Sequence, residues 1–164
     1  CTVRHFVTGE QRLAIFQRSS GQPQGSQPLG LIPVRLFERD AQHALIFGNQ
    51  DGLGRVQDRN ILGGGSWEAY VWQSEITAVA QVGTGTWLVA LADGDLQRFI
   101  YDNDGSLSIG SIPVLYDMSY DPASGAVFGG ADGQVIAIDP ASGTVISNFA
   151  VNGTVRKVLP LRNR

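Results

Sequence analysis

The chain has 164 residues, of which 43% are hydrophobic and 16% charged, and its formal net charge is −3. That balance excludes a disordered chain, and the length favours one domain that buries about two-thirds of its unfolded surface. No apolar run approaches the roughly 20 residues that a membrane-crossing helix needs, and the mildly acidic body argues against nucleic acid as a partner.

Residues 3–7 and 12–17 read as two short strands, and the stretch 19–30, rich in Gln, Gly, Pro and Ser, reads as loop where a further pair of strands would stand. Strands are then predicted at 34–37, 44–48, a looser one near 55–57, and 68–72. The next four are predicted at 77–82, 87–92, 96–101 and 107–112, and the last four at 115–120, 126–130, 135–138 and 145–151. No window longer than about 10 residues carries a 3.6-residue period, so helix content is predicted to be minimal. The 21 glycines and 7 prolines fit many tight turns.

The units share a grammar. An apolar run stops at Asp-Gly and a second apolar run follows, as in Thr86 to Ile100 around Asp93-Gly94 and in Ala126 to Ile138 around Asp132-Gly133. Gly supplies the positive φ of a primed hairpin turn, and Asp tolerates it. The Asp-Gly pairs begin at 51, 93 and 132, in steps of 42 and 39 residues. A period near 40 with several short strands per unit is the mark of a propeller blade. The predicted class is therefore all-β: a β-propeller of about four blades of four antiparallel strands. It is read as a single domain, 1–164, with approximate blades at 2–30 (incomplete), 31–75, 76–113 and 114–153, and the start of a further blade at 154–164. Thr2-Val3-Arg4 and Thr154-Val155-Arg156 both resemble the first strand of a blade. Two arrangements stay open: four blades closed on themselves, or a piece of a larger propeller completed in trans.

The run Val135-Ile136-Ala137-Ile138-Asp139-Pro140-Ala141-Ser142-Gly143-Thr144-Val145 resembles the strand-turn-strand core of quinoprotein-like and YVTN-like propeller repeats. It is also similar to the corner between the third and fourth strands of WD40 blades, without that family's Trp-Asp and Gly-His pairs. The quinoprotein-like repeat usually has a Trp soon after the Gly, where Ile146, Ser147 and Asn148 stand here. The resemblance is closest over 76–153 and looser over 34–75. It implies the fold and carries over no cofactor site.

Catalytic and metal signatures are weak. His5 and His43 are the two histidines, and neither has a nucleophile or further ligands at a telling spacing. Residues i and i+4 of a strand lie about 13 Å apart, too far for Cys1 and His5 to exchange a proton. Asp102-Asn103-Asp104-Gly105 resembles a calcium loop until Ile100 and Ser111 fall where its end carboxylates belong. Gly52-Leu53-Gly54 and Gly83-Thr84-Gly85 lack the rest of a dinucleotide fingerprint, and Glu68 replaces the closing Gly of a nucleophile elbow at 63–66.

Trp67, Tyr70 and Trp72 form the one aromatic cluster. Strand alternation sends Tyr70 and Trp72 to one side and Trp67 to the other, so they either pack against neighbouring blades or, on an exposed rim, form a protein-binding hot spot. Arg156, Lys157, Arg162 and Arg164 make a basic tail, either a solvated end or a steering surface for an acidic partner. Asn152-Gly153-Thr154 satisfies the glycosylation sequon and is also an expected turn. Cys1, the single cysteine, permits a lipid-anchor reading.

The functional expectation is a non-catalytic protein-interaction or scaffold module with no cofactor and no metal. Its partner is a protein or a second propeller segment, with homo-oligomerisation open. The alternative is a bacterial envelope propeller of the quinoprotein-like kind, an enzyme fragment or ligand-binding protein, with Cys1 lipidated. Periplasm or cell envelope is favoured over cytoplasm.

Overall fold

A computed structural model describes residues 2–5, 11–16, 20–61, 63–103 and 105–159. Cys1, Arg162 and Arg164 lie outside the described residues. The contacts divide the chain into two compact units, 1–73 and 74–164.

The first unit begins with β1 (Thr2–His5), β2 (Gln11–Phe16) and β3 (Pro23–Pro28), an antiparallel sheet in that order. β3 corrects the loop reading of 19–30. It lies at the sheet edge, where proline costs few ladder bonds, and Pro23 and Pro28 occupy its two ends. Side chains secure it: Arg12 Nε donates to Ser26 Oγ at 3.1 Å, and Arg59 Nη1 to the Pro28 carbonyl at 2.7 Å. Gln27 Nε2 donates to the carbonyls of Asn60 and Ile61 at 3.3 and 3.2 Å.

A four-stranded antiparallel sheet follows, β4 (Ile32–Glu38), β5 (His43–Gln50), β6 (Leu53–Asn60) and β7 (Ser66–Trp72), again in chain order. The looser strand predicted near 55–57 is a full eight residues, because β6 is paired on both sides, by β5 and β7. Between β5 and β6, Asp51 and Gly52 have φ of 55° and 78°, the primed turn expected of Asp-Gly. Leu13, Leu29, Leu31, Ala44, Ile46 and Ile61 form the core that joins the unit's two sheets. Gly48 is required there, since a Cβ would strike the Leu31 side chain and the Ile32 carbonyl.

The second unit opens with β8 (Ile76–Gly83), β9 (Thr86–Leu91), β10 (Asp95–Ile100) and β11 (Gly105–Ser111), in spatial order β11-β10-β9-β8. A 3-10 turn at Tyr101–Asn103 links β10 to β11. β12 (Asp117–Asp121), β13 (Ala126–Ile138) and β14 (Val145–Thr154) form the last sheet, order β12-β13-β14. The strands predicted at 126–130 and 135–138 are one element. Gly133 still turns the chain with φ of 68°, but Asp132 is paired with Thr154, which keeps the corner inside the ladder. β12 starts two residues later than predicted, with Leu115 buried over Gly129.

Ala80, Leu88 and Leu96 meet Met118, Val127, Ile136 and Ile138 in the core between these two sheets. A fully buried side chain of this kind contributes about 1.5–3 kcal/mol. Of the segment predicted to start a further blade at 154–164, residues 154–159 are described. Thr154 ends β14, and 155–159 carry no strand. Val155 N donates to the Ala131 carbonyl at 3.1 Å and Val158 N to Asp117 Oδ2 at 2.9 Å, so the segment folds back on β12 and β13.

Candidate functional site

A bulge decides where the aromatic residues point. On β7, Trp67 pairs with Asp58, Glu68 with Gln57, and Tyr70 with Val56, so Ala69 is the extra residue. Asp58, Val56 and Gly54 alternate along β6 and share one face, hence their partners Trp67, Tyr70 and Trp72 do too. The expected split, with Trp67 alone on the far side, is corrected by this one residue.

Across β5 the same face carries His43 and Phe47, which oppose Asn60 and Val56. Trp72 is buried, stacks on Phe47 at 6.4 Å and lies 4.8 Å from Tyr70. Phe37 meets Phe47 edge-on at 5.7 Å. Trp72 and Phe47 are thus packing residues, with half-buried Tyr70 beside them. Trp67 is 47% exposed and is the member of the cluster that solvent reaches most.

Two side chains adjoin Trp67. The Arg39 guanidinium lies 5.8 Å from the centre of its ring, and the His43 imidazole 5.9 Å away. A cation over indole contributes about 0.5–2 kcal/mol according to its desolvation. Arg39 in turn binds Asp58, whose side chain is fully buried, and donates through Nε to Asp40 Oδ2 at 3.0 Å. A buried carboxylate is tolerable only when paired, so Asp58 fixes Arg39 and through it the indole.

Asp40 organises the turn between β4 and β5. The backbone N–H groups of Gln42 and His43 both donate to its Oδ1 at 2.8 Å, and His43 Nδ1 lies 3.0 Å from the same oxygen. The Gln42 amide first, then His43 and Arg39, hold its carboxyl well below the usual carboxylate range. Sequence reasoning missed Arg39, Asp40 and Asp58. The available signals were an Arg-Asp pair in a short turn and an Asp at an inward position of a strand.

A second polar group gathers in the other unit. Tyr116 Oη donates to Asp132 Oδ2 at 2.9 Å and Thr154 Oγ1 to Oδ1 at 2.6 Å, while Arg156 stands 5.7 Å from the Tyr116 ring. The Thr154 and Tyr116 hydroxyls lower the Asp132 carboxyl, and the Asp132 carboxylate raises the Tyr116 phenol. Lys157 pairs with Asp117 at 3.3 Å. Arg156 and Lys157 of the basic tail are therefore engaged with their own sheet. Among the described residues no three His, Cys, Asp or Glu side chains converge to hold a metal ion.

No protein-family model matches the chain. No curated protein matches it either. Among solved structures it is similar to a chain in a crystal structure of a nidogen/laminin complex, with a TM-score of 0.62 and 9% identity over 78% of this chain. The fold is that of a β-propeller. At this identity the likeness extends to fold alone, and the match spans 52% of that chain's length.

Proposed function

We propose that the chain is a non-catalytic protein-interaction module that presents Trp67 as its anchor. The observation that carries this reading is a half-exposed indole beside Arg39 and His43, with Arg39 anchored by the buried Asp58. Trp and Arg are enriched among residues that dominate interface energies, and a side chain already immobilised loses less entropy on binding. The similar solved chain comes from a nidogen/laminin complex, a protein–protein assembly, which supports the reading by analogy of fold. On this reading Tyr70 and Trp72 pack with each other and, through Trp72, with Phe47 in the sheet that carries the anchor, and bring no cofactor or catalytic group.

The test is a comparison of wild type with Trp67→Ala and Arg39→Ala as bait in extracts of the source cells. Proteins retained by wild type are expected to be lost by at least about tenfold on Trp67→Ala, the scale of a hot-spot truncation. Their binding is also expected to protect Trp67 from acrylamide, since Trp72 and Trp87 are only 4% and 2% exposed and Trp67 dominates quenching. Equal retention by all three baits overturns the reading.

A further inference from the structure

β14 carries two asparagines, both exposed, whose surroundings differ. Asn148 pairs with Ile136 in the ladder, its Nδ2 donates to Gln134 Oε1 at 2.7 Å, and bulky Phe149 follows it. Asn152 has none of these restraints. The ladder pairs Ala150 with Gln134 and Thr154 with Asp132, so residues 151–153 bulge opposite Gly133 alone. Among the described residues no hydrogen bond ties the Asn152 side chain. Gly153 follows it with φ of 92°, and nothing lies within 4 Å of where a Cβ would stand. The other asparagines precede Gln50, Ile61, Asp104, Phe149 and Arg164, so Asn152 alone precedes a glycine.

An asparagine side chain and the next backbone nitrogen can close a succinimide ring. A side chain on the following residue, a bonded amide and a backbone pinned in its ladder each hinder closure. All three hindrances are absent at Asn152. We infer that Asn152 is a site of spontaneous covalent modification, converted through a succinimide to isoaspartate and aspartate. The Gly153 N–H gives its proton to hydroxide and the nitrogen attacks Asn152 Cγ. The N–Cγ bond forms, the Cγ–Nδ2 bond breaks, and Nδ2 takes a proton from water and leaves as ammonia. Water then opens the ring. Cleavage of the new N–Cγ bond leaves aspartate, whereas cleavage of the original peptide bond to Gly153 leaves isoaspartate, whose main chain runs through Cβ and Cγ. Nothing is oxidised or reduced, and water is the only co-reactant. Either product adds a negative charge to residues 140–155, which otherwise carry none. Isoaspartate also lengthens the main chain just before Thr154, whose Oγ1 donates to Asp132 at 2.6 Å. The site is separate from Trp67 and independent of its role.

Peptide mass mapping of the whole chain, aged in mildly alkaline heavy-oxygen water, tests the assignment. Residue 152 is expected to exchange its amide nitrogen for a heavy oxygen at least about tenfold faster than Asn148 of the same strand. An isoaspartate-specific carboxyl methyltransferase with a labelled methyl donor is expected to label residue 152 of the aged wild type and not of Asn152→Gln. Ageing in urea separates sequence from structure: the unfolded chain is expected to convert no more than about tenfold faster than the folded one, because the bulge leaves Asn152 unpinned. An Asn152 amide that lasts as long as that of Asn148, an aged residue 152 that takes no methyl label, or protection by the fold beyond about tenfold overturns the proposal.

Discussion

Gly48 shows how one missing methyl group positions a sheet. Its backbone is ordinary extended strand, yet a Cβ there would strike Leu31 and the Ile32 carbonyl, both at the junction of the first unit's two sheets. Gly48→Ala is expected to destabilise the chain by about 1–3 kcal/mol, the usual cost of overpacking. Gly30→Ala is the control, since nothing lies within 4 Å of a Cβ at that position. A shared urea midpoint for the two variants refutes this account of the junction. Ala69 acts by the opposite device: as an added residue it changes the parity of β7, so that Trp67 reaches the face where Arg39 and His43 can hold it.

Two turns of identical sequence, Asp121-Pro122-Ala123-Ser124-Gly125 and Asp139-Pro140-Ala141-Ser142-Gly143, use identical chemistry. In each the Asp side chain accepts the backbone N–H two residues on, at 3.1 and 2.9 Å, and the following Ser hydroxyl, at 2.8 and 2.9 Å. Each closes on a glycine with φ near 71° or 72°. The second turn docks further: the Gly143 backbone rests on Ile109 of β11, and Arg98 of β10 donates to the Ala141 carbonyl at 3.3 Å. The Ser124 hydroxyl lowers the Asp121 carboxyl most, and the Ala141 amide the Asp139 carboxyl. A carboxyl with a depressed folded-state pKa contributes stability above its unfolded value of about 4, and that contribution is lost as pH falls through the folded value. The urea midpoint is therefore expected to drop as pH falls below about 4, and Asp139→Asn to flatten that limb. An unchanged acid limb in Asp139→Asn means the turn is held by backbone alone.

At the scale of the molecule, each unit carries a core of its own. The cluster running from Ala78 to Ile138 lies wholly within 74–164, and the cluster running from Leu13 to Ile61 within 1–73. Residues 74–164 expressed alone are expected to keep a β-sheet circular dichroism spectrum and to melt cooperatively, because that core is complete within the unit. A fragment without a melting transition refutes the independence of that core. Fusing the fragment to a soluble carrier, with the melt read by amide exchange, excludes aggregation as the reason.

The sequence by itself determined the all-β class, the sites of its hairpin turns and the approximate place of the strands from 32 onward. Those features rest on local rules: apolar alternation, Asp-Gly with left-handed backbone, and Asp-Pro-Ala-Ser-Gly turns that close within five residues. Tertiary structure decided what depends on a partner strand. β3 exists because β2 and Arg59 bind a segment whose own composition favours loop, and β6 is long because it is paired on both sides. Trp67 was legible as a candidate, but its face was not, since a bulge is visible only once Glu68 and Tyr70 have found Gln57 and Val56. Asp58 and Arg39 were illegible for the same reason: 19 residues separate them in sequence, and only the sheet brings the carboxylate under the guanidinium that positions the indole.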